Sequence, residues 1–135
     1  MRLRLAFASL VAAALAAPAA LARVPTVIVE TGFWMPSNNI VCNAGRVPGD
    51  GRGIDCTVLS ARSSRGQKVW FTGERGRASV GFVVGDPQTE GLATLRYGRT
   101  WRWHGIRCTS RRAGLTCTNR NGHGFFLSRE RQRLF

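Results

Sequence analysis

The chain is poor in acidic residues and in lysine. Only seven of its 135 residues are Asp or Glu, whereas twenty are Lys or Arg, and Lys68 is the single lysine. The formal net charge at pH 7 is +13, which attracts polyanions at low salt. Two explanations of the arginine excess remain open. Guanidinium groups bind phosphate and carboxylate, and a GC-rich genome raises Arg, Ala and Gly together.

Catalytic signatures are also missing. The motifs G-x-S-x-G, S-x-x-K and H-E-x-x-H do not occur. The few acidic residues are scattered along the chain, so a pair of carboxylates for glycoside cleavage is unsupported. The sequence therefore favours a non-enzymatic protein over an enzyme, and we expect no cofactor and no metal site.

After residue 22 the sequence contains no stretch in which apolar residues recur at helical spacing for a dozen residues. Short β-type runs alternate instead with Gly, Pro, Asn and Asp. At most one helical turn is expected, near Leu59–Ser64. The predicted fold is all-β and mostly antiparallel, either a small β-sandwich or a partly open barrel of stacked hairpins. The predicted strands are Thr26–Glu30, Asn39–Asn43, Ile54–Leu59, Lys68–Thr72, Ser79–Val84, Leu92–Tyr97, Thr100–His104, Ile106–Ser110, Leu115–Asn119 and His123–Ser128.

The one long apolar run lies at the N-terminus. Arg2 and Arg4 precede the apolar stretch from Leu5 to Ala17, and Ala20-Leu21-Ala22 has the small-x-small pattern that signal peptidase cleaves. The run is alanine-rich and falls short of the roughly 20 strongly apolar residues that a bilayer span needs. A cleaved export signal is therefore favoured over a retained anchor, and no transmembrane span is expected in the mature form.

This interpretation predicts a location in the periplasm or outside the cell. It also divides the chain into three parts. These are residues 1–22 as signal peptide, residues 23–32 as an N-terminal segment, and residues 33–135 as one disulfide-stapled β domain.

The four cysteines occur in four copies of one pattern, namely Gly or Asn, Ile or Leu, any residue, then Cys. In a strand the Ile or Leu lies on the same face as the sulfur two residues later. A hairpin through Pro48-Gly49 would place Cys42 opposite Cys56, and a second would place Cys108 opposite Cys117. Oxidising compartments preserve such bridges. Four cysteines allow three connectivities. A zinc site is the rival interpretation, which the absence of C-x-x-C disfavours.

Candidate ligand contacts cluster in the second half of the chain. Alternation predicts that Trp101 and Trp103 share one strand face and that Arg102 and His104 share the other. The tryptophans either pack in the core or form a stacking platform, with arginines binding phosphate. His123 is either an exposed acid, base or anion contact, or the first residue after a tight turn. The candidate anion or ligand contacts are Arg102, His104, Arg107, Arg120, His123 and Arg129.

Motifs at both ends of the predicted domain carry a family resemblance. Phe33 to Cys42 read F-W-M-P-S-N-N-I-V-C, and Gly122 to Arg129 read G-H-G-F-F-L-S-R. They resemble the F-x-x-P-S-G-N-I-x-C and G-H-G-F-x-L-S-R motifs of an uncharacterised family of small exported bacterial proteins, a domain of unknown function. Asn38 replaces the usual Gly, and Asn also tolerates positive φ. The resemblance spans Phe33 to Phe135 and implies fold and export, but no activity.

Three functional hypotheses follow. The leading one is a non-enzymatic binding or envelope-associated module whose partner is an anionic envelope polymer, a nucleic acid or an acidic protein. The second is a small secreted hydrolase or nuclease that uses His104 or His123. The third is a structural or assembly partner that docks through exposed tryptophans, with Trp34, Trp70 and Trp101 as candidates.

Overall fold

The computed structural model describes residues 24–135, so the predicted signal peptide lies outside the described residues. Within them the chain forms eleven β-strands and no helix, and Leu59–Ser64 contains a turn. The strands are β1 Ile28–Trp34, β2 Ile40–Arg46, β3 Arg52–Val58, β4 Gln67–Gly73, β5 Ser79–Val83, β6 Ala93–Thr94, β7 Thr100–Trp103, β8 Ile106–Arg111, β9 Gly114–Thr118, β10 Gly124–Leu127 and β11 Gln132–Leu134.

The strands form two sheets. The first has six strands in the order β5-β4-β3-β2-β1-β6, and the second has five in the order β11-β10-β9-β8-β7. All neighbours are antiparallel except β1 and β6, which run parallel. Each sheet ends in two edge strands, so neither is a closed barrel. The all-β prediction is confirmed, in the form of two sheets around a shared core.

That core explains the repeated cysteine pattern. Ile40 and Ile54 from the first sheet meet Ile106 and Leu115 from the second, and all four are at most 3% exposed. The sulfurs lie on the same faces and are fully buried. Burial of apolar side chains from both sheets is the main force that holds the sheets together.

Both predicted disulfides are confirmed. Cys42 is bonded to Cys56 and Cys108 to Cys117, and each pair lies directly opposite in its strand register. No cysteine is free, so the zinc interpretation is wrong. The first hairpin turns at Pro48-Gly49 as predicted, with an amide hydrogen bond from Asp50 to the Val47 carbonyl (3.0 Å) and a φ of 79° at Gly49.

The largest differences from the predicted strands concern β1, β6 and β11. β1 continues to Trp34, where the sequence predicted an end at Glu30. The predicted strand Leu92–Tyr97 is reduced to two residues, because the chain turns at Gly98, whose φ is 82°. β11 was missed, since it is a three-residue edge strand in an arginine-rich terminus, where short alternation carries little signal. β1 begins inside the residues assigned to the N-terminal segment.

Candidate functional site

The outer face of the five-stranded sheet is arginine-rich. Ile106, Cys108 and Leu115 point into the core, so alternate residues of the same strands point outward. The outward positions include exposed arginines on three strands, together with threonines between them. We call this surface the arginine face and define it by Arg102 on β7, Arg107 and Arg111 on β8, and Arg133 on β11.

The strand register sets the spacing of these charges. Arg102 lies directly opposite Arg107 on the neighbouring strand. Arg107 and Arg111 are four residues apart on β8, which corresponds to roughly 13 Å along the strand. Arg133 on β11 lies opposite Phe126 of β10. Because β11 is three strands from β8, Arg133 lies about 14 Å from β8 across the sheet. Positive charge therefore occurs on this face from β7 at one edge of the sheet to β11 at the other.

No carboxylate neutralises the arginine face within residues 24–135. The two ion pairs found there, Arg46 with Glu30 (3.0 Å) and Arg62 with Asp86 (3.7 Å), both belong to the six-stranded half. Residues 100–135 contain eight arginines and a single acidic residue, Glu130, in the turn between β10 and β11. The guanidinium groups of this face are left available to an external anion.

Phe126 orders one end of the arginine face. Its half-buried ring faces outward from β10, and the guanidinium carbons of Arg131 and Arg133 lie 5.4 Å and 5.9 Å from its centroid. Cation–π contacts of this kind restrict the arginine side chains without removing their charge. Both guanidinium groups are thus held close together at the surface.

At the other end, a cleft of about 440 Å³ opens beside the turn between β7 and β8. Its lining includes three of the predicted contacts, Arg102, His104 and Arg107. Arg120 packs against Gly105, since a Cβ at that glycine would lie 2.2 Å from the Arg120 Nε. The structure therefore brings four predicted residues together, and the charge of the three arginines suits an anion.

The prediction that Arg102 and His104 share one strand face is wrong. β7 ends at Trp103, and His104 and Gly105 form a two-residue hairpin loop with φ values of 44° and 78°. Positive φ at both positions is typical of a primed turn, which matches the twist of the flanking strands. The His104 ring instead packs edge-on against Trp103, 4.6 Å between centroids.

His104 occupies a backbone conformation that Asn adopts more readily. We expect His104→Asn to raise the free energy of unfolding by about 0.5 kcal/mol, because relief of backbone strain exceeds the lost ring contact. Urea denaturation checks this prediction. A less stable variant would show that the contact with Trp103 outweighs the strain.

The tryptophans pack inward. Trp101 lies 5.3 Å from Phe33 and 6.0 Å from Trp103, centroid to centroid, and both tryptophans contact the core. Trp70 is only 2% exposed, so its proposed role as an exposed docking residue is wrong. Core packing, rather than a stacking platform, is the alternative that the geometry supports for Trp101 and Trp103.

The remaining two candidates lie apart. His123 is half-buried in the turn between β9 and β10, where its amide donates to the Asn119 Oδ1 (3.2 Å). The Asn119 amide group also donates to Thr72 of β4 and to the carbonyl of Gly76 in the loop between β4 and β5, which fixes this turn. Arg129 lies at the opposite end of β10, beside a separate cleft of about 160 Å³. His123 and Arg129 therefore lie at opposite ends of β10.

Sequence reasoning missed two groups of residues. Arg111 and Arg133 belong to the arginine face, and alternation from Cys108 could have found the first of them. Asp55 occupies the variable position of the second cysteine motif, on the outer side of the six-stranded sheet. Burial raises the pKa of Asp55 from 3.8 to about 7.

Within residues 24–135 no cluster of three His, Cys, Asp or Glu side chains is arranged to hold a metal ion.

These features define a class of protein: a two-sheet β domain with one disulfide in each sheet and an arginine-rich outer face. A family profile described as a family of unknown function (DUF6636) matches residues 44–135, and the chain belongs to that family. The match begins after the Phe33–Cys42 motif. Comparison with curated proteins and with solved structures gave no match. Across residues 24–135 no helix is long and apolar enough to cross a membrane.

Proposed function

We propose that the protein is an exported, non-enzymatic module that binds a phosphate-bearing envelope polymer through the arginine face. The observation that carries the proposal is the set of outward arginines on one sheet face without a carboxylate partner in the described part of the chain. Planar guanidinium groups bind phosphate with two parallel hydrogen bonds. Two buried disulfides are consistent with an oxidising compartment, where such polymers occur.

The position of the aromatic residues separates the partner classes. Proteins that bind single-stranded nucleic acid usually stack bases on exposed aromatic rings. Here Trp101 and Trp103 contact the core, and Phe126 lies beneath two guanidinium groups. Recognition through backbone charge therefore fits this surface better than base stacking. We favour a phosphate-bearing envelope polymer over nucleic acid and over an acidic protein.

A salt series with matched variants tests the proposal. The variant R102Q/R107Q/R111Q/R133Q removes four charges from the arginine face, and R62Q/R65Q/R75Q/R77Q removes four exposed charges from the other half. We expect the first variant to bind purified lipopolysaccharide at least about 100-fold more weakly, given roughly 1 kcal/mol for each arginine at an anionic surface. The second should lose less than about fivefold, and wild-type affinity should fall steeply with salt.

Other outcomes would contradict the proposal. Equal losses in the two variants would mean that net charge acts without a defined site, and salt-independent binding would remove electrostatics as the cause. Tighter binding to single-stranded DNA or polyglutamate would select a different partner. If the wild type hydrolyses any probe and the double variant His104→Ala/His123→Ala does not, the secreted hydrolase or nuclease would be favoured instead.

A further inference from the structure

A second cleft lies on the opposite side of the molecule from the arginine face. Its floor is the outer face of the six-stranded sheet, where Asn43 lies opposite Asp55 in the register and Thr57 follows on the same face. The walls come from the N-terminal residues near Val27 and from the segment after β5, near Val84. The cleft measures about 360 Å³, which is within the range of sites for small organic ligands.

The segment after β5 is fixed over the sheet by paired hydrogen bonds. The Asn43 side-chain amide donates to the Gln88 carbonyl (2.8 Å), and the Gln88 amide donates to the Asn43 Oδ1 (3.1 Å). Both the amide nitrogen and the carbonyl oxygen of the Asn43 side chain are thus hydrogen-bonded. Asp55 beside it makes no side-chain hydrogen bond or ion pair with any residue from 24 to 135. Its carboxyl group lines the cleft without a partner in the described structure.

The charge of this lining is opposite to that of the rest of the protein. Although the chain carries a formal net charge of +13, no Lys, Arg or His lines the cleft within the described residues. The two titratable groups of the lining are both carboxyls, Asp55 from β3 and Asp86 from the covering segment. Asp86 has a partner in Arg62, whereas the lining from β2, β4, β5 and the N-terminal residues adds no charge. A cation is favoured here and an anion is not.

We propose that this cleft is a binding site for a small alkylammonium-type cation, with the ammonium group on Asp55 and the apolar part against the surrounding valines. This inference is independent of the proposed function, since it uses a different face and the opposite charge. The Asp55 carboxyl is half-buried and unpaired, and it ionises reluctantly because charge is poorly solvated there. An ammonium group supplies the missing countercharge, while Val27, Val69 and Val83 match an alkyl chain.

Binding of such a cation must be linked to ionisation of Asp55. Burial raises the pKa of that carboxyl to about 7 in the unliganded protein. Since the ammonium group binds the ionised form, affinity should rise about tenfold per pH unit below this pKa and become constant above it. Saturating ligand should in turn lower the pKa of Asp55. A neutral alcohol of the same shape has no such linkage.

Carboxyl and methyl NMR titrations with n-butylammonium, and with n-butanol as the neutral control, test the site. We expect butylammonium to shift the methyl signals of Val27, Val69 and Val83, and to lower the Asp55 pKa by at least one unit. It should also bind at least tenfold more tightly at pH 8 than at pH 6. Asp55→Asn should reduce its affinity to that of butanol. Asp86→Asn removes the same charge from an exposed position and should change the affinity less than threefold.

Three results would overturn the site. These are equal affinity for butylammonium and butanol, unchanged butylammonium binding in Asp55→Asn, and affinity that does not change between pH 6 and pH 8. The variant R102Q/R107Q/R111Q/R133Q should bind butylammonium as the wild type does. Lipopolysaccharide binding therefore tests the arginine face, and butylammonium binding tests the Asp55 site. Either proposal can fail without the other.

Discussion

Replacing Asp55 by Asn is expected to raise the free energy of unfolding by about 3 kcal/mol at pH 8 and to leave it nearly unchanged at pH 4. Burial raises the pKa of Asp55 from 3.8 in an exposed carboxyl to about 7 in the folded protein. Below pH 4 both states are largely protonated, so Asp55 contributes little. Between pH 4 and pH 7 the unfolded chain ionises while the folded protein does not, so the stability of the wild type falls.

Above pH 7 both states are ionised and the deficit becomes constant. Each unit of pKa difference between the folded and unfolded protein corresponds to roughly 1.4 kcal/mol of stability. We expect a smaller loss of stability than the full pKa difference gives, because the Asp55 carboxyl faces an open cleft. Urea denaturation of the wild type and Asp55→Asn from pH 4 to pH 8 measures the effect. Asp86→Asn is the control, and its stability should parallel that of the wild type. A difference between wild type and Asp55→Asn that does not grow with pH would contradict the burial argument.

The cysteine-containing hairpins were predictable because three local signals agree there. The Ile or Leu two residues before each sulfur specifies the face that is buried, and the short loops specify which strands are neighbours. Pro48-Gly49 also has the composition of a type II turn. Asn38 has a φ of 54°, as the replacement of a family glycine implied. Agreement between local and global preferences makes such elements readable from one sequence.

The candidate sites were less predictable because each depends on contacts between distant segments. Asp55 looks like any solvent-facing residue of a half-buried strand until the chain near Gln88 covers that side of the sheet. Arg133 joins the arginine face only through β11, a short edge strand with weak alternation. The sequence predicts a strand through His104, because His-Gly is a weaker turn signal than Asn-Gly. Sequence alternation describes one strand at a time, whereas these sites are formed by several.

Removing either disulfide is expected to lower the free energy of unfolding by about 3 kcal/mol. The sequence separations are 14 residues for Cys42–Cys56 and 9 for Cys108–Cys117, and the chain-entropy model gives similar stabilisation for both loops. The paired variants C42A/C56A and C108A/C117A, measured by urea denaturation, should therefore be destabilised about equally. A loss below about 1 kcal/mol in either one would contradict the model.

The two variants should differ in binding, however. Cys108 follows Arg107 on β8, and its disulfide holds β8 against β9 beneath the arginine face. The bond between Cys42 and Cys56 belongs to the other sheet. At a temperature where both variants remain folded, lipopolysaccharide binding should weaken in C108A/C117A and stay close to wild type in C42A/C56A. Equal binding by both would mean that the arginine face does not depend on the local spacing of β8 and β9, and that overall charge density controls affinity.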